Sequence, residues 1–589
     1  MKDLIVNRKE LRSWQKNLVW GKDGTLYLNT SPHITIAQPR FEKEVNGNSK
    51  NLFHLKEFPL ELESNNKLEF EFAERNTLLN SQPISYVRYC EPSLGGNNNN
   101  LLAVLTSNGN VCIFENDVLV ANLDDSAAPL AGRIYHSLHW NSNLTANGEY
   151  ITLGNELGQL VIFQKGNSDN SFHLLKTINL VSDCLEWITS IVEDDNGTLF
   201  ATLTNNSVYS VKSMYVDDPT IEMIKEPSRF KIFDTKALDG YVVITTTGYF
   251  HKINVSTGQH FQFEIGANDG FHIIPVTIDG EQKSTVLLSN KTSCSIQLND
   301  EEITLLPDNI ISPHLEKKFK KWNTYWNEYD KYETSLVICG VSISMDGYSV
   351  AIMYDIERIS LKYRIASEHQ YHIKFIPLNT KWEISSKVTG LAWYQAYHIY
   401  NKMLPFQGQV EIDLNDPKYD TTLDFKDYLI TLLNDNQLNK LRFLNLIEEK
   451  ASIETFQKLI LKYATANVEK VTNPIDKCCI QSLATVLNLP CPIQSDPITI
   501  KSEYIEETVD VKLAKDLNQI IAVDGTVWKR CAVSLLPLLT TKVKICPVSK
   551  TRIIDINKDS LNDYGWFSRT LLEVFNNNSI YCDTNMISA

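Results

Sequence analysis

Cysteine and histidine carry the widest chemical range in this chain, and they are sorted unevenly along it. The stretch DGTVWKRCAVSLLPLLTTKVKICPVSKTR (524–552) sets Cys531 behind a tryptophan and opens a C-P-x-S at Cys546. A structural zinc site takes four ligands, nearly always Cys or His, commonly in closely spaced Cys pairs. Here the position three residues after Cys546 is Ser549, and an alcohol is a poor zinc ligand. All 12 histidines lie at or before His398, and no C-x-x-C occurs anywhere. The adjacent Cys478–Cys479 falls in a predicted helix, and Cys491 and Cys582 stand apart from the stretch. Cysteine otherwise packs as a small, deeply buried hydrophobe. The expectation is a degenerate zinc-finger-like region over 524–582 without metal, with Trp528, Leu535, Leu536, Leu538 and Cys546 in a core.

Other catalytic patterns are missing from the sequence. There is no G-x-G, hence no dinucleotide or acetyl-coenzyme-A glycine loop, and no G-K-S or G-K-T phosphate cradle. H-E-x-x-H and G-x-S-x-G do not occur. His136 and His139 form an H-x-x-H, as do His369 and His372. Both pairs lie in predicted strands, where positions i and i+3 point to opposite faces, so they read as structural. No catalytic, metal or cofactor-binding residue is assigned, no cofactor is expected, and the chain is not expected to be an enzyme.

A chain of 589 residues exceeds the roughly 250–300 residues at which one core stops growing, so two domains are expected. Net charge is −15, yet residues 401–589 hold 21 basic and 24 acidic side chains, which leaves most of the excess in residues 1–400. Nucleic-acid affinity rests largely on Lys and Arg replacing counterions, so the chain is a poor primary DNA or RNA binder. The 11 cysteines are scattered and the first residues, MKDLIVNRKELRSW, contain no apolar leader segment. No run of 18 apolar residues occurs, so no membrane helix is expected. A reducing compartment, cytosol or nucleus, follows.

Seven β-rich units repeat over the first 400 residues, beginning near 18, 84, 138, 185, 230, 271 and 337. Each joins runs of Val, Ile, Thr, Tyr and Phe through an Asx-Gly or Gly-rich turn, the chemistry of tight hairpins. The fold class read from this is mainly β: a divergent seven-bladed β-propeller over 1–405, followed by a smaller α+β domain over 406–589. Insertions are expected near 41–80, as a polar loop or decorated edge, and near 306–334. In the second, Pro313 opens a predicted helix on which Phe319, Trp322, Trp326 and Tyr329 share one face behind Lys317, Lys318, Lys320 and Lys321. That aromatic face reads as packing on its own propeller or as a protein interface, with nucleic acid a third option. After 406, helical spacing runs over 423–464 and 476–488, and the last ninety residues read as short strands.

A divergent propeller followed by W-x-x-C, P-L and C-P, as in V-W-K-R-C-A-V-S-L-L-P-L and C-P-V-S-K-T-R, resembles the delta-subunit family of transcription factor IIIC, the general factor for RNA polymerase III genes. The resemblance covers the whole chain, and 524–552 is its most telling part. It implies a nuclear, non-catalytic scaffold subunit of a promoter-recognition complex. Implied partners are a sister propeller subunit in a heterodimer, the other subunits of the factor, and the initiation factor that contains the TATA-binding protein. DNA would be met only through the complex. The family pattern pairs Cys531 with an upstream C-x-x-C and Cys546 with a further Cys, and this chain has neither. An animal relative credited with histone acetyltransferase activity supplies one alternative, and a propeller adaptor in another complex supplies a second.

Overall fold

The computed structural model describes residues 3–588 except for 9–16, 41–51, 59–86, 94–100, 124–133, 142–148, 359–368, 379–387, 401–409 and shorter stretches. The chain forms two compact units. One comprises Met1–Gly21, Thr25–Gln38 and Phe53–Trp382, and the other Lys22–Gly24, Pro39–Leu52 and Glu383–Ala589. The partition at 382–383 precedes the boundary of 405 read from the sequence, because the helix Gly390–Ile399 goes with the C-terminal unit.

The N-terminal unit is mainly β. Among its described residues, seven four-stranded antiparallel sheets follow one another along the chain, each of the kind that makes a propeller blade. Their first strands are Leu18–Trp20, Val87–Pro92, Tyr135–Trp140, Ile188–Glu193, Ile232–Leu238, His272–Ile278 and Thr334–Ile343. Six sheets are plain meanders, and the seventh is completed by Leu4–Arg8, which pairs with His369–Pro377. The strand Phe53–Phe58 closes the first sheet, inside the expected insertion at 41–80. Its sequence FHLKEF shows only two buried positions, which is why it reads as a polar segment. The rest of that insertion lies outside the described residues.

Second strands such as Leu101–Thr106, Tyr150–Asn155 and Leu199–Leu203 are buried at every position. A neighbouring sheet covers each of their faces, so their sequences run continuously apolar. Buried clusters join each sheet to the next, as where Tyr89 and Leu105 meet Leu138 and Phe163, or Ile274 and Val286 meet Ile352 and Tyr354. The seventh sheet also meets the first. The Trp20 ring stands edge-on to Phe375 at 5.5 Å, and the Trp20 N–H donates to Ser342 Oγ at 2.9 Å. Gly197 (φ 80°) and Gly347 (φ 70°) supply the left-handed positions of two first hairpin turns. Between the sixth and seventh sheets runs α1 (Ser312–Tyr329), started by Asp308, whose carboxylate accepts from the Ile310, Ile311 and Ser312 N–H groups.

The C-terminal unit contains α2 (Gly390–Ile399), α3 (Phe425–Asn434), α4 (Asn436–Ile447), α5 (Glu454–Ala466), α6 (Pro474–Leu487), several short strands and α7 (Trp566–Val574). One buried cluster unites Phe425, Tyr428 and Tyr463 with Cys479, Cys531, Leu535, Phe567 and Leu572. The helix α7 corrects the expectation of strands alone over the last ninety residues. Its own N-cap position, Gly565, makes no side-chain cap, so no local start signal precedes it.

Candidate functional site

Residues from the first strands of all seven sheets line one cavity of about 940 Å³ in the N-terminal unit. Five of those strands, among the described residues, skip one residue in their pairing: Arg88, His136, Thr189, Phe233 and Cys339. A bulge re-aims the side chain it carries, and Arg88, His136, Thr189 and Phe233 all face the cavity. The bulge at His136 also shifts the two-residue period, so His136 and His139 line the same cavity. This corrects the opposite-faces reading of the first H-x-x-H. In the second, His372 stacks on Tyr354 at 5.4 Å and packs as a structural side chain.

Of the three described histidines that line the cavity, His136, His139 and His272, the first two are held in opposite charge states. The His136 ring lies flat on Trp187, 4.3 Å between centroids, with Arg88 Nη1 2.9 Å from its Nδ1. Burial, then the Arg88 charge, lowers its pKa to about 4, so it is neutral and accepts from Arg88. His139 sits between two carboxylates, Nδ1 3.1 Å from Glu91 Oε1 and Nε2 3.4 Å from Glu193 Oε2. Burial opposes its charge, but the two carboxylates outweigh burial and raise its pKa to about 9. Because the folded pKa lies above the ordinary value of about 6.5, the stabilisation is complete below about pH 6.5 and is lost as pH rises through about 9. Thermal stability of the wild-type chain should therefore fall across that window by up to about 3 kcal/mol. His139→Gln should lose that slope, and melting scans at stepped pH check it. An unchanged slope in the variant would show that the triad does not titrate as placed.

On α1, Phe319 and Trp322 are half-buried, and Lys317, Lys320 and Lys321 are exposed. The side chains of Trp326 and Tyr329 lie outside the described residues. The buried foot of the helix is Leu315, packed with Ile311 against the sixth and seventh sheets. Neither Phe319 nor Trp322 lines the cavity.

Among the described residues of the C-terminal unit, one turn shape occurs three times, at Cys531–Leu536, Cys546–Thr551 and Ser579–Thr584. The N–H of each first residue donates to the carbonyl five residues on, at 2.8, 2.9 and 2.9 Å. The N–H of each fifth residue (Leu535, Lys550, Asp583) donates back to the first carbonyl, at 2.9, 3.0 and 2.9 Å. Each fifth residue also holds positive φ, at 57°, 59° and 49°. In the first two, the Ser at the fourth position points its N–H at the cysteine sulfur: Ser534 to Cys531 at 3.5 Å, and Ser549 to Cys546 at 3.3 Å.

The second and third turns face each other. Cys546 Sγ lies 3.3 Å from Cys582 Sγ, and Thr584 Oγ1 lies 3.0 Å from the first sulfur and 3.3 Å from the second. The Cys582 thiol donates to Ser579 Oγ at 3.5 Å, and Ser549 Oγ is 2.8 Å from Thr551 Oγ1. Burial, then the contact with Cys546, holds the Cys582 thiol well above its ordinary pKa, so it remains protonated. The third turn is gripped from outside. Arg442 of α4, itself buried, donates through Nε to Ile580 O at 2.9 Å and through Nη2 to Ser579 O at 2.8 Å. At the start of α2, the Gly390 N–H donates to Asp583 O at 3.0 Å, and a Cβ there would stand 1.5 Å from the Cys582 carbonyl oxygen. Reasoning from sequence passed over Ser579, Thr584 and Arg442. The available signal was S-x-x-C at 579–582, the reverse of C-x-x-S at 546–549.

The family described as "Putative zinc-finger of transcription factor IIIC complex" matches residues 494–586, a span that contains all three turns. Over 597 aligned residues the chain is 46% identical to the transcription factor tau 60 kDa subunit of Saccharomyces cerevisiae (strain ATCC 204508 / S288c), covering 100% of this chain and 99% of that protein. The chain belongs to the transcription factor tau 60 kDa subunit family. A chain in the crystal structure of a Mitotic Checkpoint Complex also aligns, at 10% identity and TM-score 0.38, over 63% of this chain and 93% of its own length.

The zinc implied by the name of the matched family can be tested against this tau 60 kDa family member. The first and fourth positions of the facing turns are Cys546, Ser549, Ser579 and Cys582, two thiols and two alcohols. A tetrahedral zinc with Zn–S bonds of about 2.3 Å would hold two sulfurs about 3.8 Å apart; here they are 3.3 Å apart. The Thr584 hydroxyl is within hydrogen-bond distance of both. Among the described residues, no group of three or more His, Cys, Asp or Glu side chains is placed to hold a metal ion. The residues present do not fit zinc.

Proposed function

We propose that this chain is a non-catalytic scaffold subunit of transcription factor IIIC, acting in the nucleus on genes read by RNA polymerase III. The observation that carries this reading is the 46% identity to the tau 60 kDa subunit over the full length of both chains. Seven four-stranded sheets packed in succession, the seventh against the first, and first strands lining one cavity support a seven-bladed β-propeller in the N-terminal domain. An α+β domain follows it. A propeller offers a broad rigid rim for partners, which suits a scaffold. The partners in this reading are a sister propeller subunit in a heterodimer, the other subunits of the factor, and the initiation factor containing the TATA-binding protein. With a net charge of −15, the chain meets B-box promoter DNA only through the complex.

Within this reading, Phe319, Trp322, Trp326 and Tyr329 form a protein interface. Trp322→Ala with Trp326→Ala should weaken capture of the other factor subunits about tenfold or more, with a melting temperature within a few degrees of wild type. Intact binding with a large stability loss would make the stripe a packing surface. The function itself is tested in an extract depleted of this chain. Transcription of tRNA genes should fall and return on adding the recombinant chain. Unchanged transcription after depletion would overturn the proposal.

A further inference from the structure

The two facing turns carry one backbone with its side chains reversed: thiol then alcohol at Cys546 and Ser549, alcohol then thiol at Ser579 and Cys582. Lys550 and Asp583 occupy the left-handed region at φ 59° and 49°, where a non-glycine residue persists only when its surroundings fix it. Burying a pair of thiols does not require such turns. Converging the first and fourth side chains of two turns on one point does require them. The turns are also placed as a metal site would need. One spans the hairpin between Val543–Ile545 and Arg552–Ile554, and the other leads into Ile587–Ser588 of the same sheet.

We propose that positions 546, 549, 579 and 582 are the four ligand positions of a zinc site in which serine has taken two places, so that direct side-chain bonding, rather than metal, now joins the halves. Three contacts supply the replacement. Cys546, Cys582 and Thr584 bond one another in the centre, all buried. Arg442 holds two carbonyls of the third turn, and Gly390 packs flat against its Cys582 peptide. Four thiolates would need a cation to offset their charge in a buried place. With two thiols instead of four, at most one negative charge is buried. Burial opposes it on Cys546, but hydrogen bonds from Cys582, Ser549 and Thr584 outweigh burial and lower that thiol's pKa. The surrounding donors take the place of a cation, so losing two ligands and losing the metal are compatible changes. The turn Cys531–Leu536 stays outside this set, in the core with Cys478 and Cys479. The inference concerns how this region is held together and stands whether or not the scaffold reading does.

The test is to rebuild the site. Full-length chain with Ser549→Cys and Ser579→Cys is purified in zinc, gel-filtered and analysed for metal, then titrated with Co²⁺ to read thiolate charge-transfer and tetrahedral visible bands. One zinc per chain, tetrahedral cobalt bands and a melting temperature that falls on adding chelator are expected. Each single variant should bind at least about tenfold more weakly. Wild type should retain no zinc and melt at the same temperature with or without chelator. Thr584→Val in the wild-type background should lower the melting temperature, because its hydroxyl bonds both sulfurs. Wild-type chain that carries stoichiometric zinc, or that loses stability in chelator, overturns the proposal even if the double variant does not fold. A folded double variant that binds neither zinc nor cobalt overturns it as well.

Discussion

Arg442→Ala is expected to lower the stability of the C-terminal unit by about 4 kcal/mol. The guanidinium is buried and uses its planar fork fully: Nε to Ile580 O, Nη2 to Ser579 O and Nη1 to Asn439 Oδ1 at 3.0 Å. Asp583 lies 3.8 Å away, and the Phe456 ring centroid lies 5.7 Å from the guanidinium carbon. Alanine would leave two carbonyls unpaired and a void lined by that ring. Arg442→Lys keeps the charge, but one ammonium cannot reproduce the fork, so it should recover about half of the loss. Urea unfolding of the full-length variants measures both. A loss below about 1 kcal/mol for the alanine variant would show that the third turn stands without its clasp.

Asp476→Ala is expected to cost about 3 kcal/mol. This buried carboxylate on α6 accepts from the Phe567 N–H at 3.0 Å, the Ser568 N–H at 2.9 Å and the Ser568 hydroxyl at 2.6 Å. It therefore caps α7 across 91 residues of sequence, in place of the cap Gly565 lacks. Gly565 leaves room for it, since a Cβ there would stand 2.2 Å from Asp476 Oδ2. Asp476→Asn keeps the shape but turns an amide toward one of the donors, so it should also destabilise, by less. Amide exchange at Phe567 and Ser568 reads the effect directly. Protection retained in the alanine variant would mean another group caps the helix.

What the sequence revealed and what it hid divide by the range of the causes. The seven sheets were legible because each second strand is buried on both faces and each hairpin turn is coded by one or two residues. Gly240 and Gly347 hold positive φ where Asx-Gly turns were expected. The helices α3 to α6 were legible from spacing, with Asp424 and Asn473 as local caps. The helices α2 and α7 were hidden, because neither has a side-chain cap at its own N-terminus. The cavity face of His136 was hidden because a bulge, invisible in composition, moves it off the two-residue period. The cysteine cluster was half legible. Cys546 with Pro547 and Ser549 announced one turn. Both turns carry a non-glycine residue, Lys550 and Asp583, at the left-handed position, and the second has no proline beside its cysteine to mark it. Its clasp comes from Arg442, which reads locally as a polar residue on a helix.

Affinity purification of the tagged chain from nuclear extract, followed by quantitative mass spectrometry, tests the scaffold reading most directly. The remaining transcription factor IIIC subunits should co-purify in equal amounts with this chain, a propeller subunit among them, and remain bound after the DNA is digested. Recovery of the chain alone, or within a complex that lacks those subunits, would contradict it.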